Sequence, residues 1–338
     1  MNSLAIILLN WNGTRDTIEC LDTLIKDRAN HDVSIIVVDN GSTPKQLSQL
    51  ESHISSLSHG KITLLKNRRN LGFAGGVNTG IRWCIENDIE YVALLNNDAV
   101  ADKSWVQNLL RKMDDNTSIV TGLLLNKAGK KIDSTGEQYS TWGMPFARNR
   151  GDVADEAPDS DYVFGATGGA TLYKTSLFKE IGLFDERFFA YYEDVDISFR
   201  AQLAGHKVYY TKEAVAYHKQ GATSKKIPGF TVYQTLKNIP LLYTKNVPIG
   251  LLLPIGARLF LLYWLIFGNA VKNGAGRYAL KGWLASIWHF WTSSLWARFT
   301  IQRKKTVSTD YIASMIWPDL PPDQTGMRRF RKLFTGRS

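Results

Sequence analysis

Within the first hundred residues, apolar runs of strand length alternate with helix-like patterns, and every run ends on asparagine or aspartate. Such a chain folds as βα units around a mostly parallel central sheet, because each strand laid parallel to its predecessor needs a crossover helix. The runs are LAIILLN (Leu4 to Asn10), SIIVVDN (Ser34 to Asn40), ITLLKN (Ile62 to Asn67) and YVALLNND (Tyr91 to Asp98). Helices are expected over Thr14 to Lys26, through Leu47 to Leu57, and near Gly76 to Asn87. Open α/β sheets take their ligands beyond the C-terminal ends of the strands, so the polar run ends, Asn10 and Asn12 included, are candidate ligand contacts.

Composition narrows the class. With 338 residues, 44% hydrophobic and 21% charged, the chain is long and apolar enough for one large folded domain or two small ones. Collagen, coiled coil and disulfide scaffold are excluded. Cys20 and Cys84 form no CxxC pair, which argues against a thiolate zinc site and for small core residues in a reducing compartment. The start, MNSLAIILLNWNG, has no basic segment ahead of its apolar run and reads as a buried strand rather than a signal peptide.

From about residue 119 to 165 the pattern loosens, and the polar stretch Arg148 to Asp161 reads as a mobile connection. Order returns with the glycine-rich strand FGATGGATLY (Phe164 to Tyr173), the acidic cluster FDERFFAYYEDVD (Phe184 to Asp196), a helix ending at Gly205 and the strand KVYYT. No internal repeat is evident.

The charge is concentrated. Of a net charge of +10, residues 236–338 carry a surplus of 12, with six of the ten tryptophans, while the rest of the chain is slightly acidic. That pairing suits an anionic membrane surface better than a nucleic acid. Residues 247–271 are the most apolar stretch, but Pro248, Gly250, Pro254, Gly256 and Arg258 crowd its first half, which favours an interfacial or re-entrant helix over a span. Downstream, Leu280, Leu284, Ile287, Trp288, Trp291, Leu295 and Phe299 recur at steps of three or four, an apolar face that either meets a membrane or packs on the rest of the protein. The basic runs Arg303 to Lys305 and Arg328 to Lys332 would face lipid headgroups or solvent.

Four polar clusters and one histidine carry chemical potential. Asp39-Asn40-Gly41-Ser42 can meet a nucleobase or ribose, or simply make a turn. In NLGFAGGVN (Asn70 to Asn78) the glycines Gly75 and Gly76 admit backbone N–H groups to phosphate at a helix start; the pattern is neither GxGxxG nor a P-loop. Asn96-Asn97-Asp98 ends a buried strand and suits an oxygen-liganded Mg²⁺ or Mn²⁺, or else caps a helix near Lys103. In Tyr191 to Asp196, three carboxylates fall within four residues, so at least one is expected to titrate high and serve as a general base; the alternative is a capped helix start with Asp196 and Arg200 paired. His218 is either a metal ligand or a partly buried histidine.

VVDNGS, NLGFAGGVNTG, LLNND, GATLYKTSLFKEIGLFDERFFAYYEDVDISFR and AVAYH, in this order over about residues 4–225, resemble the family 2 glycosyltransferases of GT-A fold, in particular the rhamnosyltransferase-type members that build bacterial surface polysaccharides. The resemblance implies a catalytic domain over residues 1–225, followed by a basic, membrane-associating region over 226–338. It implies that Asp39 contacts the base of a TDP- or UDP-sugar, and that Asn40, Asn70, Phe73, Gly75, Gly76 and Asn78 line the nucleotide and diphosphate with Asn96 and Asn97. Asp98 matches the last residue of the family's D-x-D motif, here Asn-Asn-Asp, and would bind Mg²⁺ or Mn²⁺ with His218. Asp194 matches the general base, with Glu193, Asp196, Gly168 and Gly169 as acceptor contacts or supports behind it and Arg200 holding the carboxylates. A single base with no opposing nucleophile implies inversion at the anomeric carbon. The absence of Q-x-x-R-W implies transfer without processivity. The expected acceptor is a polyprenyl-diphosphate glycan at the cytoplasmic face of the inner membrane. The competing functions are a nucleotidyltransferase and a non-catalytic scaffold.

Overall fold

The computed structural model of the chain describes residues 3–27, 32–57, 61–219 and 227–322. The N-terminal half alternates β1 (Leu4–Asn10), α1 (Thr14–Lys26), β2 (Ser34–Asp39), α2 (Pro44–Ser56), β3 (Ile62–Lys66), α3 (Gly72–Glu86) and β4 (Tyr91–Leu95). These four strands are parallel in the order β3-β2-β1-β4, and β1, β2 and β4 are buried on both faces, which is why they read as unbroken apolar runs. Pro44 opens α2 at its first turn, where the missing N–H costs nothing.

Next come β5 (Ala99–Ala101), α4 (Trp105–Leu110), β6 (Thr117–Asn126), β7 (Ile132–Ser134), β8 (Glu137–Tyr139), β9 (Pro145–Ala147), β10 (Asp161–Val163), β11 (Ala170–Lys174), α5 (Thr175–Ile181), α6 (Glu193–Leu203) and β12 (Lys207–His218). The strand β11 enters antiparallel between β4 and β6, and β12 runs parallel to β6, so the expected parallel sheet is mixed beyond β4. The stretch Arg148 to Asp161 is not a loose connection. Ile132 N–H donates to Asp152 O, Gly151 N–H returns to Ile132 O, and Arg150 Nε donates to Asp133 O.

Apolar clusters cover both faces of the sheet, with Cys84 in one and Cys20 in the other, both unpaired thiols. Register does the positioning. Asn10 lies opposite Asp39, Ala170 opposite Leu95, and His218 opposite Ala99, so the polar ends of β1, β2, β4 and β12 gather on one rim.

A helical layer follows: α7 (Phe230–Asn246), α8 (Ile249–Lys272), α9 (Gly276–His289), a π-helical turn at Phe290–Ser294, α10 (Leu295–Arg303) and α11 (Thr309–Met315). The prolines do not break α8. Pro248 is its N-cap and Pro254 falls in the second turn, so 24 residues form one helix of about 36 Å, long and apolar enough by length and composition to cross a membrane. One stripe of it, Ile255, Leu259, Leu262 and Tyr263, is buried, packing with Met144 and Leu320 among others; its opposite face, Leu253, Phe260 and Leu261, is exposed. The apolar face of α9 and α10 is exposed as well, with Trp288 at 68%, Trp291 at 72% and Trp296 at 76%. Among the described residues, nothing covers this face. The run Arg328 to Lys332 and the boundary at residue 225 lie outside the described residues.

The exposure makes a prediction: Trp288→Ser and Trp291→Ser should each change the unfolding free energy by no more than about 0.5 kcal/mol in urea titrations. A loss of several kcal/mol would mean that the rings pack against the protein.

Candidate active site

At the rim, the ends of β1 and β2 form a closed amide network. Asn10 Nδ2 donates to Asp39 Oδ1 (2.8 Å), Ser42 N–H donates to Asp39 Oδ2 (3.0 Å), and Asn10 Oδ1 accepts from Gly13 N–H and Thr17 Oγ1. Asp39 is 1% exposed and Asn10 fully buried. Asp39 and Asn10 thus organise the rim from within. The neighbouring Asn12 is exposed, with its Oδ1 accepting Thr43 N–H. Gly41, at φ +77°, packs its α-carbon on Arg69, where a Cβ would lie 2.5 Å from backbone.

The glycine-rich turn departs further from expectation. The helix α3 starts at Gly72 rather than near Gly76, and its first amides are already used: Leu71 N–H donates to Asn40 Oδ1, Gly72 N–H to Asn70 Oδ1 and Ala74 N–H to Phe189 O. Asn40, 1% exposed, also donates to Asn70 Oδ1 and Gly72 O. Asn78 is clamped on Phe184 and Glu186. Gly75 and Gly76 are buried, and a Cβ on Gly76 would stand 2.4 Å from Leu9 Cδ1. Gly76 lets the helix press on β1, whereas a Cβ on Gly75 would stand 2.7 Å from Leu71 Cβ in the turn itself.

On the other side of the rim, His218 Nδ1 lies 2.6 Å from Asp133 Oδ2, and its Nε2 lies 3.0 Å from Asp98 Oδ1. Burial works to lower the imidazole pKa, yet the bonds to Asp133 and Asp98 prevail and push it up to about 9. The N-cap of α4 is Ser104, so Asp98 caps no helix. Asn97 is drawn away toward α1, donating to Thr17 Oγ1.

A run of contacts joins this pair to the acidic cluster. Asn96 Nδ2 lies 3.3 Å from His218 Nε2, Asn96 N–H donates to Gly169 O, and Gly168 N–H donates to Asp194 Oδ2 (2.9 Å). A Cβ on Gly169 would stand 2.7 Å from Asn96 Nδ2, and one on Gly168 3.1 Å from the Phe73 ring. Asp194 is half-buried, with Val195 N–H on Oδ1. Its neighbour Glu193 is 6% exposed, and its Oε2 has no hydrogen-bond partner among the described residues. Burial raises both carboxyls, Glu193 to about 8 with help from the Asp194 charge. Two backbone N–H groups favour the ionised form of Asp194 and work against that rise, so protonation is favoured at Glu193. Asp196 faces inward, fully buried between Arg200 Nε (2.9 Å), Lys245 Nζ (2.7 Å) and Asn246 Nδ2 (2.8 Å). It supports the cluster from within, and its pairing with Arg200 is the helix pair expected.

Residues 5–182, more than half of the chain, match the model of glycosyl transferase family 2. The chain belongs to that family. Among curated relatives, it is 26% identical over 245 residues to the low-salt glycan biosynthesis hexosyltransferase Agl10 of Haloferax volcanii, covering 70% of this chain and 74% of that one. It is 24% identical over 297 residues to the dTDP-rhamnosyl transferase RfbF of Shigella flexneri, 85% and 95% of the two chains. Its fold is similar to that of GalNAc-T7 solved with UDP, GalNAc and Mn²⁺ (TM-score 0.58, 14% identity), covering 72% of this chain and 48% of that one. It is also similar to that of the mannosyltransferase PcManGT of Pyrobaculum calidifontis with GDP-Man and Mn²⁺ (TM-score 0.54, 14% identity, 92% and 86%). The GT-A fold is thereby established, and the nucleotidyltransferase and scaffold alternatives fall away.

For this family 2 glycosyltransferase, sequence reasoning missed Asp133 and Arg150, both inside the region taken for loose chain. It also missed Glu137, buried beside the acidic cluster, whose carboxyl burial and the Asp194 charge push well above its usual range. Only the histidine at 218 hints at a carboxylate behind it. The packing of Gly76 is testable: Gly76→Ala should cost about 1–3 kcal/mol of stability by denaturant titration, as overpacking does. Unchanged stability with impaired donor binding would return Gly76 to the diphosphate.

Proposed function

We propose that this glycosyltransferase moves one sugar per acceptor, with inversion, from a TDP- or UDP-sugar to a hydroxyl of a lipid-linked glycan in surface polysaccharide assembly. The observation that carries the reading is the contact run Asp194–Gly168–Gly169–Asn96–His218–Asp98, which makes the base candidate and the metal candidates parts of one rim. Each Asp194 oxygen accepts one backbone N–H and keeps a lone pair for a proton. Asp194 takes the proton of the acceptor hydroxyl as that oxygen bonds to the anomeric carbon and the bond from that carbon to the diphosphate oxygen breaks. Glu193, protonated beside it, keeps the pair from carrying two buried charges.

Asp98 would offer Mg²⁺ or Mn²⁺ a carboxylate oxygen, and His218 an imidazole nitrogen whose other nitrogen is held by Asp133, the usual support behind a metal-bound histidine. A divalent cation bound there would neutralise charge on the departing diphosphate. With Asn96 in place of a first aspartate, Asp98 is the one carboxylate of the motif. Rhamnose from TDP-rhamnose is the favoured donor, supported by the likeness to the Shigella flexneri rhamnosyl transferase along nearly all of its length.

The address of the acceptor is supported by the exposed tryptophan-rich face beside a surplus of cations. One stripe of α8 is held against the rest of the protein, which favours a helix lying at the cytoplasmic face of the inner membrane over one that crosses it. Nucleic acid is not a partner in this reading.

Nucleoside-diphosphate release across TDP-, UDP- and GDP-sugars with a polyprenyl-diphosphate sugar acceptor tests the chemistry. Asp194→Asn should lower kcat by about 10²–10⁴-fold, Glu193→Gln by only a few-fold, and EDTA should stop release until Mg²⁺ or Mn²⁺ is restored. Full activity in Asp194→Asn would remove it as the base. In flotation, the full-length chain should rise with anionic liposomes and the triple variant Trp288→Ser, Trp291→Ser, Trp296→Ser should stay behind; equal flotation would reject the membrane assignment.

A further inference from the structure

The matched family region stops at residue 182, short of Asp194, and of the two backbone N–H groups on the Asp194 carboxylate only that of Gly168 comes from within it. Three non-glycine residues just before α6 adopt positive φ, Phe189 at 63°, Tyr191 at 70° and Tyr192 at 72°. Side chains do not favour that backbone, so something must impose it. The helix α7 does. Asn238 Nδ2 is within hydrogen-bond distance of Phe188 O (3.0 Å), Ala190 O (2.9 Å) and Tyr191 O (2.8 Å), and Lys237 Nζ donates to Arg187 O and Phe188 O. One to two turns on, Lys245 Nζ bonds both Asp185 and Asp196, and Asn246 Nδ2 joins it on Asp196, so the two ends of the segment 185–196 are tied to one helix.

This face of α7 is almost wholly buried, with Lys245 at 1% and Asn238 at 0%. A contact made for stability alone would be apolar, since well-packed hydrocarbon serves as well as a buried ion pair or better. The other sides of α7 belong to the exposed helices: Tyr263 Oη of α8 donates to Leu236 O, and Arg298 and Gln302 of α10 donate to the carbonyls of Thr244, Asn246 and Val247 at its C-terminal end.

We propose that α7 is the positioning element of the active site. Lys245 and Asn238, acting through Asp196 and the carbonyls of Phe188, Ala190 and Tyr191, set where Asp194 stands, and the helical layer bearing the exposed apolar face is mechanically continuous with the base. This rests on the reading of Asp194 above only for its kinetic consequence; the loop geometry stands apart from it.

Hydrogen–deuterium exchange on the full-length chain tests the positioning itself. In Asn238→Ala and in Lys245→Met, the amides of residues 187–196 should exchange at least tenfold faster while those of β1 to β4 keep their rates, and Lys245→Arg should recover part of the protection. Kinetics with the nucleoside-diphosphate sugar that the parent chain turns over should show kcat down at least tenfold with the donor KM within twofold. Parent-like exchange over 187–196 in Asn238→Ala overturns the proposal, as does exchange accelerated equally throughout the sheet, which is general destabilisation. If Asp194→Asn proves fully active, the function reading fails while the exchange result still decides whether α7 holds the loop.

Discussion

Strand register is the constraint from which the rest of the molecule follows. Because side chains alternate along a strand, a slip of one residue would turn every polar rim group into the core and every core group out of it. The pairings of Asn10 with Asp39, Ala170 with Leu95, and His218 with Ala99 place Gly169 beside Asn96 and His218 beside Asp98. Antiparallel insertion of β11 is the decisive step, since it brings the Gly168–Gly169 turn to the rim where Asp194 can accept its amide.

The rim is kept rigid by asparagines working inside the protein. Asn10, Asn40 and Asn78 are each almost fully buried, and each is both donor and acceptor to loops on different elements. Removing one would strand buried partners at about 1–3 kcal/mol apiece. The segment before α6 is the opposite case, a place where energy is stored. Residues at positive φ such as Phe189, Tyr191 and Tyr192 cost about 1–3 kcal/mol each, and the clamp from α7 holds them there. Asp185 and Asp196 show how that clamp is charged: burial alone would raise both carboxyls, but Lys245 with Arg187 or Arg200 holds them below their usual range.

Much of this was legible in the chain. The four parallel strands end where their apolar runs end, and the order of the polar clusters named the family, because strand burial and motif order are local properties of sequence. Asp194, Asp98, His218, Gly168 and Gly169 do come together. Other positions carry a bracing role that the motifs alone do not reveal, because an asparagine or glycine beside a strand end looks the same whether it faces a ligand or a neighbouring loop. So Asp39, Asn10, Asn40 and Asn78 brace the rim from within, and Gly76 lets α3 pack on β1. In the helical layer, three-and-four periodicity announced an apolar face but not its neighbour, and only exposure of Trp288 and Trp291 separated the alternatives.

By itself, then, the sequence determined the α/β class, the family, the acidic pair at 193 and 194, and the basic, tryptophan-rich end, since each is written in runs of adjacent residues. Tertiary structure decided which nitrogen of His218 meets which carboxylate, which of the rim amides are spent inside, and that α7 grips the loop before Asp194. Those partners lie dozens of residues apart, Asp133 from His218 by 85 and Asn238 from Tyr191 by 47, and no local pattern encodes a hydrogen bond whose two ends meet only after the sheet has formed.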